Sequence, residues 1–288
     1  MDDAAILFRL VHFAAAMAAF GAAAFRYYVP RHDGAFDGWL ARLIRVAAAV
    51  GFLAALALVP TTAARMAGSA AAGFDSATLA TVLTGTEFGH VWCWHLGFAA
   101  ALVVAASRRP GAIVLALSGL SLASLGWVGH AAMMGGLPGL GHELNQTLHL
   151  LAAGAWLGGL PPLYALLRRA APGDPAIPDA VAHFSQMGYA AVAVIAVTGV
   201  VNSCLLVGSV GALVATAYGR LLTAKIAVYL VMVAIALVNR LSLAPRLGRG
   251  GAAALARSVV VEQALGLGVL AIVSVLGTWA PAAMHHAM

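Results

Sequence analysis

Apolar residues run along the chain in blocks of about 20, long enough to cross about 30 Å of hydrocarbon. Short stretches rich in Arg, Gly and Pro separate them. The blocks fall near residues 4–28, 40–59, 88–106 and 111–133, then 144–167, 184–207, 219–239 and 257–280. This pattern predicts an all-α fold, a polytopic membrane helical bundle of about eight transmembrane helices forming one integral domain over residues 1–288. At identical offsets, His12, Ala15, Ala16, Ala18 and Gly21 match His149, Ala152, Ala153, Ala155 and Gly158. The matches point to two parallel four-helix units, residues 1–135 and 144–280. Composition offers another origin for them, because Ala recurs throughout the chain.

Composition supports the membrane reading. Of the 288 residues, 62% are apolar and 9% charged, against roughly 25% charged in soluble domains. The same low charge excludes a disordered chain. A formal charge of +6 would suit nucleic acid, but the Arg residues fall in clusters between apolar blocks. That is a topology signal, and no nucleic-acid partner is expected. Arg26, Arg31, Arg42 and Arg45 flank the first connection, Arg108 and Arg109 the third, and Arg168 and Arg169 the fifth. Arg240, Arg246, Arg249 and Arg257 flank the seventh. These connections are assigned to the cytoplasm, with both termini in the periplasm. Asp2 and Asp3 replace the basic start of a signal peptide, so the first block reads as a retained helix. Cys93 and Cys204 form no disulfide framework or CxxC motif.

In this topology five of the ten His residues fall in the outer half of the bundle: His12, His90, His95, His130 and His149. Ionisable side chains inside a membrane mark functional sites. His130, Met133 and Met134 form H-x-x-M-M, which puts an imidazole and two thioethers on one helical face. That donor set favours copper, Cu(I) above Cu(II); the alternative is that both Met fill packing gaps. His90 and His95 point about 140° apart at 100° per residue, so they serve one site only through an irregular first turn. Trp92 and Trp94 read as interfacial aromatics. Lys225 is expected to bond Asn202 or snorkel outward, and Glu262 to pair with Arg240 or Arg257. The expected copper ligands are His12, His90, His95, His130, Met133, Met134 and His149.

The second half resembles the copper resistance protein D family. The resemblance rests on L-H-L-L-A-A-G-A-W-L-G-G-L around His149, H-F-S from His183, T-G-V-V-N ending at Asn202 and Y-G-R-L-L-T-A-K ending at Lys225. It continues through N-R-L-S-L-A-P from Asn239 and V-E-Q around Glu262. The first half fits more loosely, through R-L-V-H ending at His12 and G-H-A around His130. The resemblance implies an inner-membrane protein that moves copper, supplied by a separate periplasmic copper carrier. An ATP-driven pump is unsupported, since there is no Walker A motif. The expected protein is therefore a copper translocator and not an enzyme. Two other readings stay open: a b-type haem cytochrome with paired axial His, and a copper-holding chaperone without transport.

The charge map yields a direct test. Twelve of the sixteen Lys and Arg residues cluster at the four connections assigned inward, so reporters fused at either terminus should be active only in the periplasm. Cytoplasmic activity at the C-terminus would invert the map.

Overall fold

A computed structural model describes residues 2–29, 33–108, 111–129, 135–169, 171, 174, 176–249 and 251–283. Among these residues the secondary structure is entirely helical. Ten α-helices follow in order: α1 Asp2–Tyr28, α2 Gly34–Met66, α3 Ser76–Gly85, α4 Glu87–Arg108, α5 Ala112–Ser124, α6 Gly136–Arg169, α7 Ala176–Val207, α8 Val210–Ala215, α9 Ala217–Val238 and α10 Ala252–Leu276. Seven are long and apolar enough to cross a membrane: α1, α2, α4, α6, α7, α10 and α9 with its continuation to Leu247. The fourth predicted crossing is shorter than expected. It comprises the 13 residues of α5 and one 3-10 turn, Leu125–Trp127.

Helices α2, α6 and α7 extend furthest beyond the expected blocks, and proline chemistry explains two of them. Helix α7 begins at Ala176 and contains Pro178; α6 begins at Gly136 and contains Pro138. Both prolines sit in a first helical turn, where the missing N–H has no intrahelical acceptor to lose. Helix α2 runs past Pro60 to Met66. The Thr61 hydroxyl, beside that proline, donates to the carbonyls of Ala57 and Leu58 at 3.1 Å each.

Helices α1 and α6 form the centre. Each also packs on its own sequence neighbour, α2 or α7, and on both α5 and α10. Helix α4 packs on α5, and α9 on α10. At the crossing the chain brings Gly21 and Gly158 backbone to backbone; a Cβ on either would collide with the other helix. Gly154, one turn earlier on α6, takes Leu122 and Phe20 against its bare Cα. Small residues are what allow helices to approach this closely in lipid. Around the crossing, Phe25, Phe36, Leu40, Ile44 and Leu160 are almost fully buried.

Two short helices, α3 and α8, brace the bundle in the same way. Thr86 caps α4: its hydroxyl accepts from Gly89 N at 3.0 Å and donates to the Val82 carbonyl of α3 at 2.7 Å. Thr216 caps α9 by accepting from Gly219 N at 2.9 Å and donating to the Ala212 carbonyl of α8 at 2.8 Å. Gly89 and Gly219 each lie so close to the short helix before them that a Cβ would strike its carbonyl.

Replacing Gly158 with Val should destabilise the protein by about 2 kcal/mol or more, because the added methyls meet backbone that has nowhere to move. Thermal unfolding of the detergent-solubilised variant measures this. Replacing Gly188, around which a Cβ meets open space, serves as the neutral comparison.

Candidate metal site

Helices α1, α2, α4 and α5 bring two imidazoles into contact in the membrane interior. His12 lies on the inward face of α1 with Ala5, Ala15, Ala16 and Ala19. His95 shares the buried face of α4 with Trp92, Ala99 and Leu102. Their exposures are 2% and 0%. The rings meet edge to face with centroids 4.9 Å apart. Trp92 completes the cluster, with its ring 4.8 Å from His95 and 5.9 Å from His12, and Phe88 stacks behind it at 5.0 Å.

Hydrogen bonds fix both imidazoles in the same tautomer. His12 Nδ1 lies 2.9 Å from the Gly51 carbonyl. His95 Nδ1 lies 3.1 Å from the Ser121 carbonyl and 2.8 Å from Ser124 Oγ. The Ser124 hydroxyl spends its proton on Ser121 O at 2.8 Å, so its lone pair faces the imidazole. Only acceptors surround each Nδ1, which places the ring proton there and leaves Nε2 with a lone pair. Both Nε2 atoms are buried without a hydrogen-bond partner among the described residues. A buried polar atom left so costs about 1–3 kcal/mol. A metal-ligating His has this arrangement, one nitrogen anchored to a carbonyl and the other presented to the metal. Trp92 is anchored on the same face of α2, its Nε1 donating to Ala55 O at 3.1 Å.

His12 and Trp92 also line a cavity of about 290 Å³ between the two halves of the chain. Its polar wall includes Arg9, Arg65, His142, Gln146, Asn202 and Lys225. Helix α6 places His142, Asn145, Gln146 and His149 along one face, at offsets of three, four and seven residues. From that face Asn145 donates to Asn202 Oδ1 at 2.9 Å, and Asn202 donates to Gln146 Oε1 at 2.8 Å. His142 is only 3% exposed, and its Nδ1 has no partner among the described residues. At the rim, Arg65 holds Asp2 at 3.2 Å and the Thr278 carbonyl at 3.1 Å.

The remaining expected ligands do not gather at the pair. His149 Nδ1 lies 2.8 Å from Thr198 Oγ1, whose proton goes to Val194 O at 2.6 Å. It borders a separate, mostly apolar cavity of about 390 Å³, which Lys225 also lines. Lys225 thus lines both cavities, the one that Asn202 borders and the one that His149 borders. His90 is exposed, with Nε2 2.8 Å from the Thr84 carbonyl of α3. His130, Met133 and Met134 lie outside the described residues; Gly129, just before them in the chain, lines the cavity beside His12. No group of three or more His, Cys, Asp or Glu side chains able to hold a metal occurs among the described residues. At the other end, buried Glu262 accepts from the amide of Asn239, and not from Arg240 or Arg257 as expected. Asn239 lies in a single π-helical turn, Asn239–Leu243, that carries it toward α10.

Three residues of the site escaped the sequence reading. His142 lies just before the apolar block near 144–167, yet the H-x-x-N-Q-x-x-H spacing marks one helical face. Trp92 reads as interfacial from its type alone, but it lies three residues from His95 on the buried stripe. Ser124 carries no signal that sets it apart from its neighbours.

The fold and the imidazole pair define a polytopic helical membrane protein with two buried imidazoles in contact among its helices. Comparison with known proteins assigns it further. Residues 1–140 match the copper resistance protein D-like N-terminal domain, and residues 178–276 match copper resistance protein D. The chain is 32% identical to the inner membrane protein YebZ of Escherichia coli K12, over 96% of this chain and 98% of that one. It is also 32% identical to copper resistance protein D of Pseudomonas syringae pv. tomato, over 97% of each. Copper transport protein CutJ of Bacillus subtilis is 28% identical over 77% of this chain and 42% of its own length. The chain therefore belongs to the copper resistance protein D family. No solved structure matches it.

Proposed function

We propose that this protein is a multi-pass inner-membrane protein that collects copper from the periplasmic side and admits it to the cytoplasm. The observation that carries the proposal is the His12–His95 pair, two neutral imidazoles whose buried Nε2 lone pairs have no hydrogen-bond partner among the described residues. Neutral nitrogen donors suit copper and bind it without a formal counter-charge. In this reading His130, Met133 and Met134 add imidazole and thioether donors, favouring Cu(I). Support comes from Gly129, which lines the cavity beside His12. His142 offers a second imidazole on the same cavity, and His149 a later one toward the second half. Several weak sites in series permit release as well as capture. A separate periplasmic carrier delivers the metal. The names of the related proteins, copper resistance protein D and copper transport protein CutJ, support copper as the cargo.

The two-unit organisation belongs to the same proposal. With Thr86 set on Thr216, His90 falls on Arg220 and His95 on Lys225. The contacts follow the same shift: His90 reaches the Thr84 carbonyl and Arg220 the Val214 carbonyl at 3.3 Å. Cys93 and Thr223 in turn both approach the carbonyls of equivalent leucines, Leu83 and Leu213. On this alignment the first unit carries His12 with His95, and the second carries His149 with Lys225. A ligand pair in one half stands opposite a ligand and a lysine in the other.

A haem reading finds less support. The His12 and His95 rings touch edge to face, leaving no gap for a porphyrin plane, and His12 and His149 border different cavities.

Vesicles of defined orientation loaded with a Cu(I) indicator test the proposal. Metal should enter from the periplasmic face, and His12→Ala or His95→Ala should cut the initial rate by about tenfold or more, as expected when one of two ligands to a soft ion is lost. Copper binding without movement would favour a holding role, and a Soret band from bound haem would favour a cytochrome.

A further inference from the structure

The cavity beside His12 carries the wrong charge for a bare cation. Arg9, Arg65 and Lys225 line it, and no Asp or Glu does so among the described residues. Asp2 balances Arg65 at the rim, which leaves the Arg9 guanidinium and the Lys225 amine, a cation once an anion lies beside it, facing the same space as His12. Arg9 Nε is buried and has no hydrogen-bond acceptor among the described residues, although its guanidinium also lies over the Phe13 ring. The oxygen of Gln146 is occupied by Asn202, so its amide N–H groups remain as donors. The wall is therefore rich in donors and positive charge, and its volume of about 290 Å³ is far above the ~10–15 Å³ that admits one water. Both imidazoles are neutral, so a cuprous ion on them would add a third positive charge in a region of low dielectric.

We propose that the cavity binds a halide ion, chloride first, between the His12–His95 pair and the Arg9 and Lys225 cations. The inference rests on the copper reading only for the halide's second role as a ligand to the metal. Halides are soft enough to ligate Cu(I) directly, whereas phosphate and sulfate oxygens are hard donors. One monoanion offsets the charge of the cuprous ion and supplies a ligand that the imidazole pair lacks. Arg9 and Lys225 belong to opposite halves of the chain, so the ion also ties the two halves together across the cavity.

Chlorine-35 NMR of the copper-free protein in detergent tests the site without any metal. Chloride should show excess line broadening over empty micelles, and Lys225→Gln and Arg9→Gln should each remove most of it. No excess, or an excess unchanged in both variants, would overturn the proposal. A second measurement compares Cu(I) affinity, referred to free Cu(I) fixed by a competing chelator in each salt, in chloride with that in gluconate at equal ionic strength. Affinity should be about tenfold higher in chloride, the order expected for removing one like-charge repulsion at a partly buried site. The difference should vanish in Lys225→Gln; equal affinity in both salts would refute the role beside copper. Chloride broadening in a protein that binds no Cu(I) would uphold the anion site and reject the copper reading, so the two fail separately.

Discussion

The backbones of α1 and α6 touch at Gly21 and Gly158, and the positions of the other helices follow from that contact. With no side chain at the crossing, the two helices come close enough for each to pack on both α5 and α10. His12 and His149 each lie nine residues before the contact glycine of their helix, about 14 Å along the axis at about 1.5 Å per residue. The crossing thus sets both imidazoles at one depth. What surrounds them then differs: a carbonyl of α2 and a second imidazole for His12, a threonine hydroxyl and a lysine for His149.

Lipid imposes a second constraint, because polar groups within the hydrocarbon must find partners inside the protein. Most do so here. Thr and Ser hydroxyls return to carbonyls within their own helices, and Asn145, Gln146, Thr198 and Asn202 bond one another across α6 and α7. The Nε2 atoms of His12 and His95 are among the few buried polar atoms that find no hydrogen-bond partner among the described residues. Their Nδ1 atoms are held by backbone carbonyls whose positions are fixed by helical geometry, so the buried Nε2 lone pairs are rigidly presented. That rigidity is what a metal site needs from its surroundings.

The membrane class and the helix blocks could be read directly from the sequence, since about 20 apolar residues in a row leave few alternatives. Helix ends were less legible: Pro138 and Pro178 look like breakers but sit in first turns, where they are tolerated. Within the site, the 140° separation of His90 and His95 already showed that the two face different ways. It could not show which one turns inward. That depends on the short helix α3, whose Thr84 carbonyl claims His90 at the surface. The pairing of His95 with His12 is likewise invisible in sequence, because it depends on how α1 and α4 pack together around Trp92.

X-ray absorption at the copper edge of the Cu(I)-loaded protein tests most directly whether copper sits on the two imidazoles. Multiple scattering from about two imidazole rings is predicted, falling by half in His95→Ala. A spectrum dominated by sulfur, with no imidazole scattering and no change in that variant, would contradict it.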